Sequence, residues 1–78
     1  MNYVAERLIG QNTRSLRERA GMTQELLASK LYLLGCDITR SAVAKIEVGQ
    51  RHLYPDESRL IREILSTSYE EIFYIPND

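Results

Sequence analysis

The sequence predicts an all-α fold, and three observations support this prediction. Apolar residues recur at three- and four-residue spacing along most of the chain, as on one face of a helix. No segment keeps the alternation of apolar and polar residues expected of a half-buried strand. Candidate helix starts and stops divide the chain into five short segments. With 78 residues, we expect one compact domain over residues 1–78.

The first predicted helix runs from about Tyr3 to Ala20. Asn2 is its candidate N-cap, and Gly21 can end it in a left-handed conformation. A stripe at helical spacing is expected to face the core and consists of Ala5, Ile9, Thr13, Leu16 and Ala20. Gly10 lies inside this helix, where it costs about 1 kcal/mol relative to alanine. We therefore expect close packing at Gly10.

Two short helices follow, and each has its own threonine N-cap. Thr23 precedes helix 2, and Thr39 precedes helix 3, which Gly49 ends. Ile38 can pack on Val43 as a hydrophobic staple at the start of helix 3. The apolar residues expected to face the core are Leu27, Leu31 and Leu34 in helix 2 and Val43 and Ile46 in helix 3.

The last two predicted helices lie in the C-terminal third of the chain. Helix 4 spans about Asp56 to Leu65, and Pro55 stands at its start, where proline is tolerated. Residues 68–71 have the spacing of a capping box, with Ser68 as the N-cap of a short helix 5 and Glu71 at its third position. The expected apolar residues are Leu60, Ile61, Ile64 and Leu65 in helix 4 and Ile72 and Phe73 in helix 5.

The composition excludes several classes of protein. No apolar run is long enough to span a bilayer, and we expect no signal peptide. A single cysteine cannot form an internal disulfide, which fits a reducing cytoplasm. No spacing typical of a catalytic group, a metal site or a phosphate-binding glycine loop occurs. We therefore expect no enzyme activity, no cofactor, no metal and no small-molecule substrate.

The charge distribution is uneven although the net charge is only −1. Residues 1–51 carry eight basic and five acidic side chains, a net charge of +3. Residues 52–78 carry two basic and six acidic side chains, a net charge of −4. A basic front half and an acidic rear half can orient the domain on a polyanion, although the small excess predicts weak binding by one copy.

Helix 3 carries polar side chains on the face opposite its apolar residues. Arg40 can donate two hydrogen bonds to guanine O6 and N7, a contact worth about 1–3 kcal/mol of discrimination between bases. Ser41 and Lys45 can also bind base edges or phosphates, and Ala44 can meet a thymine methyl group. The alternative is an ordinary solvated helix face, since exposed basic residues are common. Held outward by its neighbours, such a helix fits a DNA major groove.

An ordered set of residues extends over nearly the whole chain and consists of Ile9-Gly10, Leu16-Arg17, Gly21-Met22-Thr23-Gln24, Leu27-Ala28, Lys30-Leu31, Ile38-Thr39-Arg40-Ser41, Val43, Lys45-Ile46-Glu47, Gly49, Leu65, Ser68 and Glu71-Ile72-Phe73. This set resembles the Cro/repressor-type, or XRE-like, helix-turn-helix family. The resemblance implies a compact five-helix repressor-like domain. Its helix-turn-helix would be formed by helices 2 and 3, over about residues 23–49.

The resemblance also implies a role for individual residues. Base contacts are expected from Arg40, Ser41 and Lys45, with Ala44 on the same face. DNA-backbone contacts are expected from Thr23, Gln24, Thr39, Gln50 and Arg51. Arg17 and Glu47 match a pair that forms an internal salt bridge in some relatives, and two exposed charges are the alternative reading.

The chain departs from the family pattern at two places. Residues 32–37 stand where many relatives have a single glycine, so the connection between helices 2 and 3 is about five residues longer. We expect helix 2 to gain a turn and the loop to lengthen, which affects the tilt of helix 3 in the groove. Leu26 replaces the acidic residue that would complete a capping box after Thr23.

Three further features each allow two interpretations. Cys36 is interpreted as a plain loop thiol rather than a redox switch, because no second cysteine can resolve it. His52 is interpreted as a surface residue rather than a pH sensor or a phosphate contact. The aromatic and apolar residues near the C-terminus either close the core or form a homodimer contact, and they are Tyr69, Phe73, Tyr74 and Ile75.

The leading functional hypothesis is a cytoplasmic, sequence-specific transcriptional regulator, a repressor that binds double-stranded DNA as a homodimer. The alternative is a protein-interaction module, antitoxin-like or an adaptor, that uses the same fold without reading DNA. The acidic rear half and the apolar tail favour the alternative. An enzyme is the third and least supported hypothesis.

Overall fold

The computed structural model describes residues 2–76, which form five α-helices and, within that range, no strand. The helices are α1 (Tyr3–Arg19), α2 (Gln24–Leu33), α3 (Arg40–Glu47), α4 (Pro55–Ile64) and α5 (Tyr69–Ile72). The all-α prediction is confirmed, and each predicted helix end lies within a residue or two of its observed position. The predicted domain bounds also include residues 1, 77 and 78, which lie outside the described residues.

The predicted N-caps are present because each hydroxyl or amide oxygen accepts a backbone N–H three residues later. Asn2 accepts from Ala5, Thr23 from Leu26 and Thr39 from Ala42, each at 3.1 Å. Ser68 likewise accepts from the Glu71 amide at 3.1 Å. Hydrogen bonds from the Thr67 hydroxyl, at 2.8 Å, and from Arg19 lower the pKa of the Glu71 carboxylate, and the Ser68 backbone adds a weaker one, as the predicted capping box requires.

One apolar cluster joins all five helices. Its most deeply buried members are Leu27 and Leu31 of α2, Ile61 of α4 and Ile72 of α5, each at most 1% exposed. Leu34 was expected in this cluster but is 52% exposed. The reason is that α2 ends at Leu33, so the chain turns away from the helical face before Leu34 can point inward.

The buried face of α1 is more polar than predicted. Its buried residues are Glu6, Gly10, Thr13, Leu16 and Arg17, while Ala20 is exposed. The polar members are tolerated because they have partners, as buried polar groups require. Thr13, for example, donates its hydroxyl hydrogen to the Ile9 carbonyl at 2.9 Å.

Gly10 marks the closest approach between α1 and α3. A Cβ atom at this position would lie 2.2 Å from the Ile46 carbonyl oxygen and 2.7 Å from that of Glu47. Those distances are far inside van der Waals contact, so no other residue fits without moving a helix. The close packing expected at Gly10 is therefore present, and it fixes α3 against α1.

The connection between α2 and α3 covers residues 34–39 and is anchored at both ends. At its start Gly35 has a φ of +90°, and the Cys36 amide donates back to the Leu31 carbonyl at 2.9 Å. These features form a Schellman-type helix end. At its finish Ile38 is 5% exposed and Val43 is 2% exposed, as expected for the staple. Although the connection is longer, it therefore still holds α3 in a defined position.

Candidate nucleic-acid interface

Helix α3 packs one face against the core and presents the other to solvent. Val43, Ile46 and Glu47 are buried between α1 and α2. Arg40, Ser41 and Lys45 are exposed, and Ala44 is half-buried beside them. The four residues expected to contact bases therefore lie together on one outward surface, which we call the α3 outer face.

The two basic side chains of the α3 outer face are uncommitted. Within residues 2–76, salt bridges join other residues on α1, α3, α4 and α5, and neither Arg40 nor Lys45 takes part in one. Their donors are therefore available to a ligand. A guanidinium and an ammonium on one short helix can meet carbonyl and nitrogen acceptors on base edges, or phosphate oxygens.

A polar cleft of about 570 Å³ opens beside the start of α3. It is lined by Arg14, Arg17, Thr23, Gln24, Glu25 and Arg40. The cleft includes the N-terminus of α2, where the first backbone N–H groups have no partner within the helix and the helix dipole is positive. The cleft suits an anion such as a phosphate group.

The salt bridge predicted between Arg17 and Glu47 is present and forms the centre of a network. Arg17 Nε donates to Glu47 Oε2 at 2.7 Å, and Nη2 donates to Oε1 at 3.0 Å. The remaining terminal nitrogen, Nη1, donates to the Met22 carbonyl at 2.7 Å. Hydrogen bonding to Glu47 raises the pKa of Arg17 further above its ordinary value, in spite of burial.

Gln24 extends the network to the start of α2. Its Nε2 donates to Glu47 Oε1 at 3.0 Å. Glu47 therefore accepts from two elements at once, Arg17 of α1 and Gln24 of α2, while it belongs to α3 itself. Paired charges in a buried site demand good geometry. The network therefore fixes the orientation of α3 relative to α1 and α2.

Arg51 is held by an acidic residue that sequence reasoning did not single out. Its Nη1 and Nη2 donate to the two carboxylate oxygens of Glu57, each at 2.8 Å, and Nη1 also donates to the His52 carbonyl. The hydrogen bond to Glu57 raises the pKa of Arg51. Gln50, the residue before it, is exposed. Gln50 is thus free for the expected phosphate contact. At Arg51, a phosphate would share the guanidinium with Glu57.

Glu6 makes another contact that the sequence did not reveal. Its buried carboxylate lies 2.6 Å from His52 Nδ1, which ties the start of α1 to the segment that follows α3. The interpretation of His52 as a plain surface residue is therefore incomplete, because its ring is half-exposed but hydrogen-bonded. Glu57 had a usable signal, since it stands three residues after the N-cap Tyr54 and accepts from its amide at 3.0 Å. Glu6 had no comparable local signal.

Cys36 lies half-buried in the connection between α2 and α3. Burial, followed by the nearby carboxylates Glu57 and Asp56, raises the pKa of its thiol. A raised pKa lowers the fraction of reactive thiolate. The environment of Cys36 therefore favours the interpretation of a plain loop thiol over a redox switch.

The aromatic residues near the C-terminus do not close the core. Tyr69 is 44%, Phe73 38%, Tyr74 59% and Ile75 46% exposed, and Ile72 fills the core instead. Phe73 is the C-cap of α5, so its side chain has already left the helix face that carries Ile72. We call these four exposed residues the C-terminal patch; within it, the ring centroids of Tyr69 and Phe73 lie 6.5 Å apart.

The five-helix arrangement and the exposed α3 define a helix-turn-helix protein. A family model described as helix-turn-helix matches residues 14–72. The chain belongs to this family, the Cro/repressor-type or XRE-like helix-turn-helix proteins, which are DNA-binding transcriptional regulators. Comparison with curated proteins and with solved structures found no match.

In residues 2–76, two other kinds of feature are absent. None of the helices combines the length and the apolar character that crossing a bilayer requires. No group of three or more histidine, cysteine, aspartate or glutamate side chains in residues 2–76 is arranged to hold a metal ion. The candidate site consists of the α3 outer face and the polar cleft beside it.

Proposed function

We propose that this protein is a sequence-specific transcriptional regulator, a repressor that binds operator DNA as a homodimer. The observation that carries the proposal is the α3 outer face, on which Arg40, Ser41 and Lys45 are exposed and the two basic residues are uncommitted. A recognition helix of a helix-turn-helix presents such residues to base edges in the major groove.

The residues divide into base-reading and backbone-contacting groups. Arg40 begins α3, so its guanidinium can reach O6 and N7 of one guanine with two hydrogen bonds. Ser41 and Lys45 can bind neighbouring bases, and Ala44 can contact a thymine methyl group. Thr39 is exposed at the N-cap, where it can meet a phosphate. The base contacts would determine which DNA sequence is preferred, and the phosphate contact would help to position the protein on the duplex.

The polar cleft supplies the second group of phosphate contacts. Thr23 and Gln24 stand at the N-terminus of α2, where backbone N–H groups favour a phosphate oxygen. Gln24 donates one amide hydrogen to Glu47, and its other amide hydrogen and its oxygen remain for DNA. Gln50 is exposed just after α3. Arg51 belongs to this group only with its remaining N–H donors, because Glu57 holds both terminal nitrogens.

Formation of a homodimer would compensate for the small positive charge that a single copy presents to DNA. The front half carries a net charge of only +3, so one copy neutralises few phosphates. Two copies related by a two-fold axis double the contact and read two half-sites about one helical turn apart. The C-terminal patch, with Tyr69, Phe73, Tyr74 and Ile75 exposed, is the surface we propose for self-association. A repressor of this size acts by occupying its operator and blocking polymerase.

The proposal is tested by selecting bound sequences from random duplexes and measuring affinities for the selected site. Arg40→Ala is expected to lose about 1–3 kcal/mol of binding and to relax the preference at one base pair. Arg59→Ala is the matched control, because Arg59 is also an exposed helical arginine, on α4. Affinity should fall steeply between about 50 and 200 mM salt. Selection that yields no enriched sequence would contradict the proposal.

The alternative, a protein-interaction module, is favoured by one observation. Tyr32 and Leu33 are adjacent at the end of α2 and are 65% and 80% exposed, so they present an apolar surface to a partner. The double variant Arg40→Ala/Lys45→Ala separates the two functions, since a regulator loses its operator and an adaptor keeps its partner. Retained partner binding together with absent DNA binding in the unmodified protein would favour the adaptor.

A further inference from the structure

Glu25 stands out because it is acidic on a surface otherwise suited to DNA. It lines the polar cleft together with Arg14 and Arg40. It also lines a second, more apolar cleft of about 400 Å³ with Ser29, Tyr32 and, again, Arg40. Glu25 and Arg40 are thus shared by both clefts. The Glu25 carboxylate therefore lies beside the start of the recognition helix.

Arg14 and Arg40 line the same cleft as Glu25, but neither forms a salt bridge with it. Glu25 is exposed, and it takes part in none of the salt bridges formed within residues 2–76. The other acidic residues of this region differ in that respect. Glu18 pairs with Arg14 at 3.5 Å, and Glu47 pairs with Arg17 at 2.7 Å. A phosphate entering the polar cleft would meet the negative charge of Glu25 at close range.

We infer that Glu25 limits the affinity of this protein for any duplex by repelling the phosphates that its basic neighbours attract. The inference rests on the proposed function, because it requires that the α3 outer face binds DNA. Its physical basis is Coulomb repulsion between the Glu25 carboxylate and a phosphate in the cleft that Glu25 lines, which salt partly screens. The effect weakens specific and sequence-independent binding alike, so it lowers affinity without changing the base preference set by α3.

A merely structural role for Glu25 predicts the opposite result. Glu25 is the second residue of α2, where a negative charge stabilises the helix through its dipole. Neutralising it would then loosen α2 and weaken DNA binding. If Glu25 repels phosphates, neutralising it slightly lowers helix stability but tightens DNA binding. The two roles are therefore distinguished by the sign of the change in affinity.

The test compares Glu25→Gln with Glu70→Gln on a duplex carrying the selected site and on a random duplex. Glu70 is a matched control because it is exposed and is also the second residue of a helix, α5, behind a hydroxyl N-cap. Glu25→Gln is expected to bind both duplexes roughly threefold more tightly at low salt, and Glu25→Lys about tenfold more tightly. The gain should shrink as salt rises. Glu70→Gln should keep the unmodified affinity.

Each other outcome is decisive as well. Affinities are compared at a concentration at which all variants have the same mass in solution, with folding checked by circular dichroism. Unchanged or weaker binding by Glu25→Gln overturns the inference while the unmodified protein still binds, so the proposed function survives. A gain limited to one sequence assigns Glu25 to base reading and also overturns the inference. An unmodified protein that binds no duplex overturns both proposals.

Discussion

The buried salt bridge between Arg17 and Glu47 is expected to make folding stability sensitive to the loss of either partner. Their side chains are 10% and 2% exposed, and the two charged groups are hydrogen-bonded to each other, to the Met22 carbonyl and to Gln24. Glu47→Leu leaves the Arg17 guanidinium buried without its carboxylate, which costs about 3–5 kcal/mol of folding stability. For a domain of this size that is much of the total. Urea unfolding followed by circular dichroism measures the loss.

The double variant Arg17→Met/Glu47→Leu distinguishes an unpaired charge from lost packing. It removes both charges, so its loss of stability should be smaller than that of Glu47→Leu alone. The recognition helix would still lose its fixed angle, because the links to Met22 and Gln24 disappear with the pair. A double variant as unstable as the single one would argue that packing, not charge, is the dominant contribution.

Glu57 makes folding stability dependent on pH in the acid range. Burial by itself would raise its pKa, but hydrogen bonds from Arg51 and the Tyr54 amide, with attraction to Arg51, outweigh burial and lower it. A folded-state pKa below the unfolded value adds stability above the unfolded pKa, and that stability is lost as the pH falls through the folded pKa. Unfolding free energies measured from pH 6 down to pH 3 should therefore decline below about 4.5.

Glu57→Gln is the variant that isolates this contribution. It should be less stable than the unmodified protein at pH 6 and should lose less further stability on acidification, because it has no carboxylate to protonate. Glu63→Gln, which changes an exposed carboxylate on the same helix, serves as the comparison. Parallel acid profiles for Glu57→Gln and the unmodified protein would show that other groups determine the decline.

At the scale of elements, α3 depends on its N-cap because it has only eight residues. So short a helix is not stable by itself, and its first turn relies on the Thr39 hydroxyl that accepts from the Ala42 amide. Thr39→Ala is expected to cost about 1 kcal/mol of stability and to weaken DNA binding, since the first turn carries Arg40 and Ser41. Thermal melting and DNA titration report the two effects.

Thr39→Asp separates capping from contact with DNA. Aspartate caps a helix as well as threonine does, so stability should stay close to that of the unmodified protein. Its charge would repel a nearby phosphate, so DNA binding should fall even though the helix is intact. Thr39→Asp with undiminished DNA affinity would remove Thr39 from the proposed backbone contacts.

At the scale of the whole molecule, the C-terminal patch is expected to govern self-association. A stable dimer buries about 800 Å² on each partner, and the four exposed side chains supply only part of that area. We therefore expect association in the micromolar range that operator DNA strengthens by holding two copies together. Phe73→Ser/Tyr74→Ser should shift the protein to the monomer in sedimentation and weaken operator binding. Its melting temperature should change little, because both side chains are outside the core.

A matched variant on another exposed surface checks that assignment. Tyr32→Ser/Leu33→Ser removes a similar apolar area from the end of α2, where both side chains are exposed. It should leave the mass in solution unchanged if copies associate through the C-terminal patch. A shift to the monomer in this variant alone would move the dimer interface to the end of α2.

The local sequence determined the helices, their starts and much of the core. N-caps such as Thr23, Thr39 and Ser68 act within three residues, and apolar spacing acts within one helix, so both can be read along the chain. The outward face of α3 follows from the same rules, because Val43 and Ile46 leave Arg40 on the other side. Gly10 also predicted close packing, but the sequence did not indicate that the α3 backbone lies against it.

Only the tertiary structure decided which polar groups are buried and which already have a hydrogen-bond partner within the protein. Glu6 meets His52 across 46 positions of sequence, and Asn12 donates to the Ile72 carbonyl across 60. Arg51 is six residues from Glu57, yet whether it faces that carboxylate or a phosphate depends on the path between α3 and α4. Helix propensity and the spacing of apolar residues describe only the local structure of each helix. The pairing of distant charges is determined by the packing of whole helices, since only packing brings their side chains within hydrogen-bond distance.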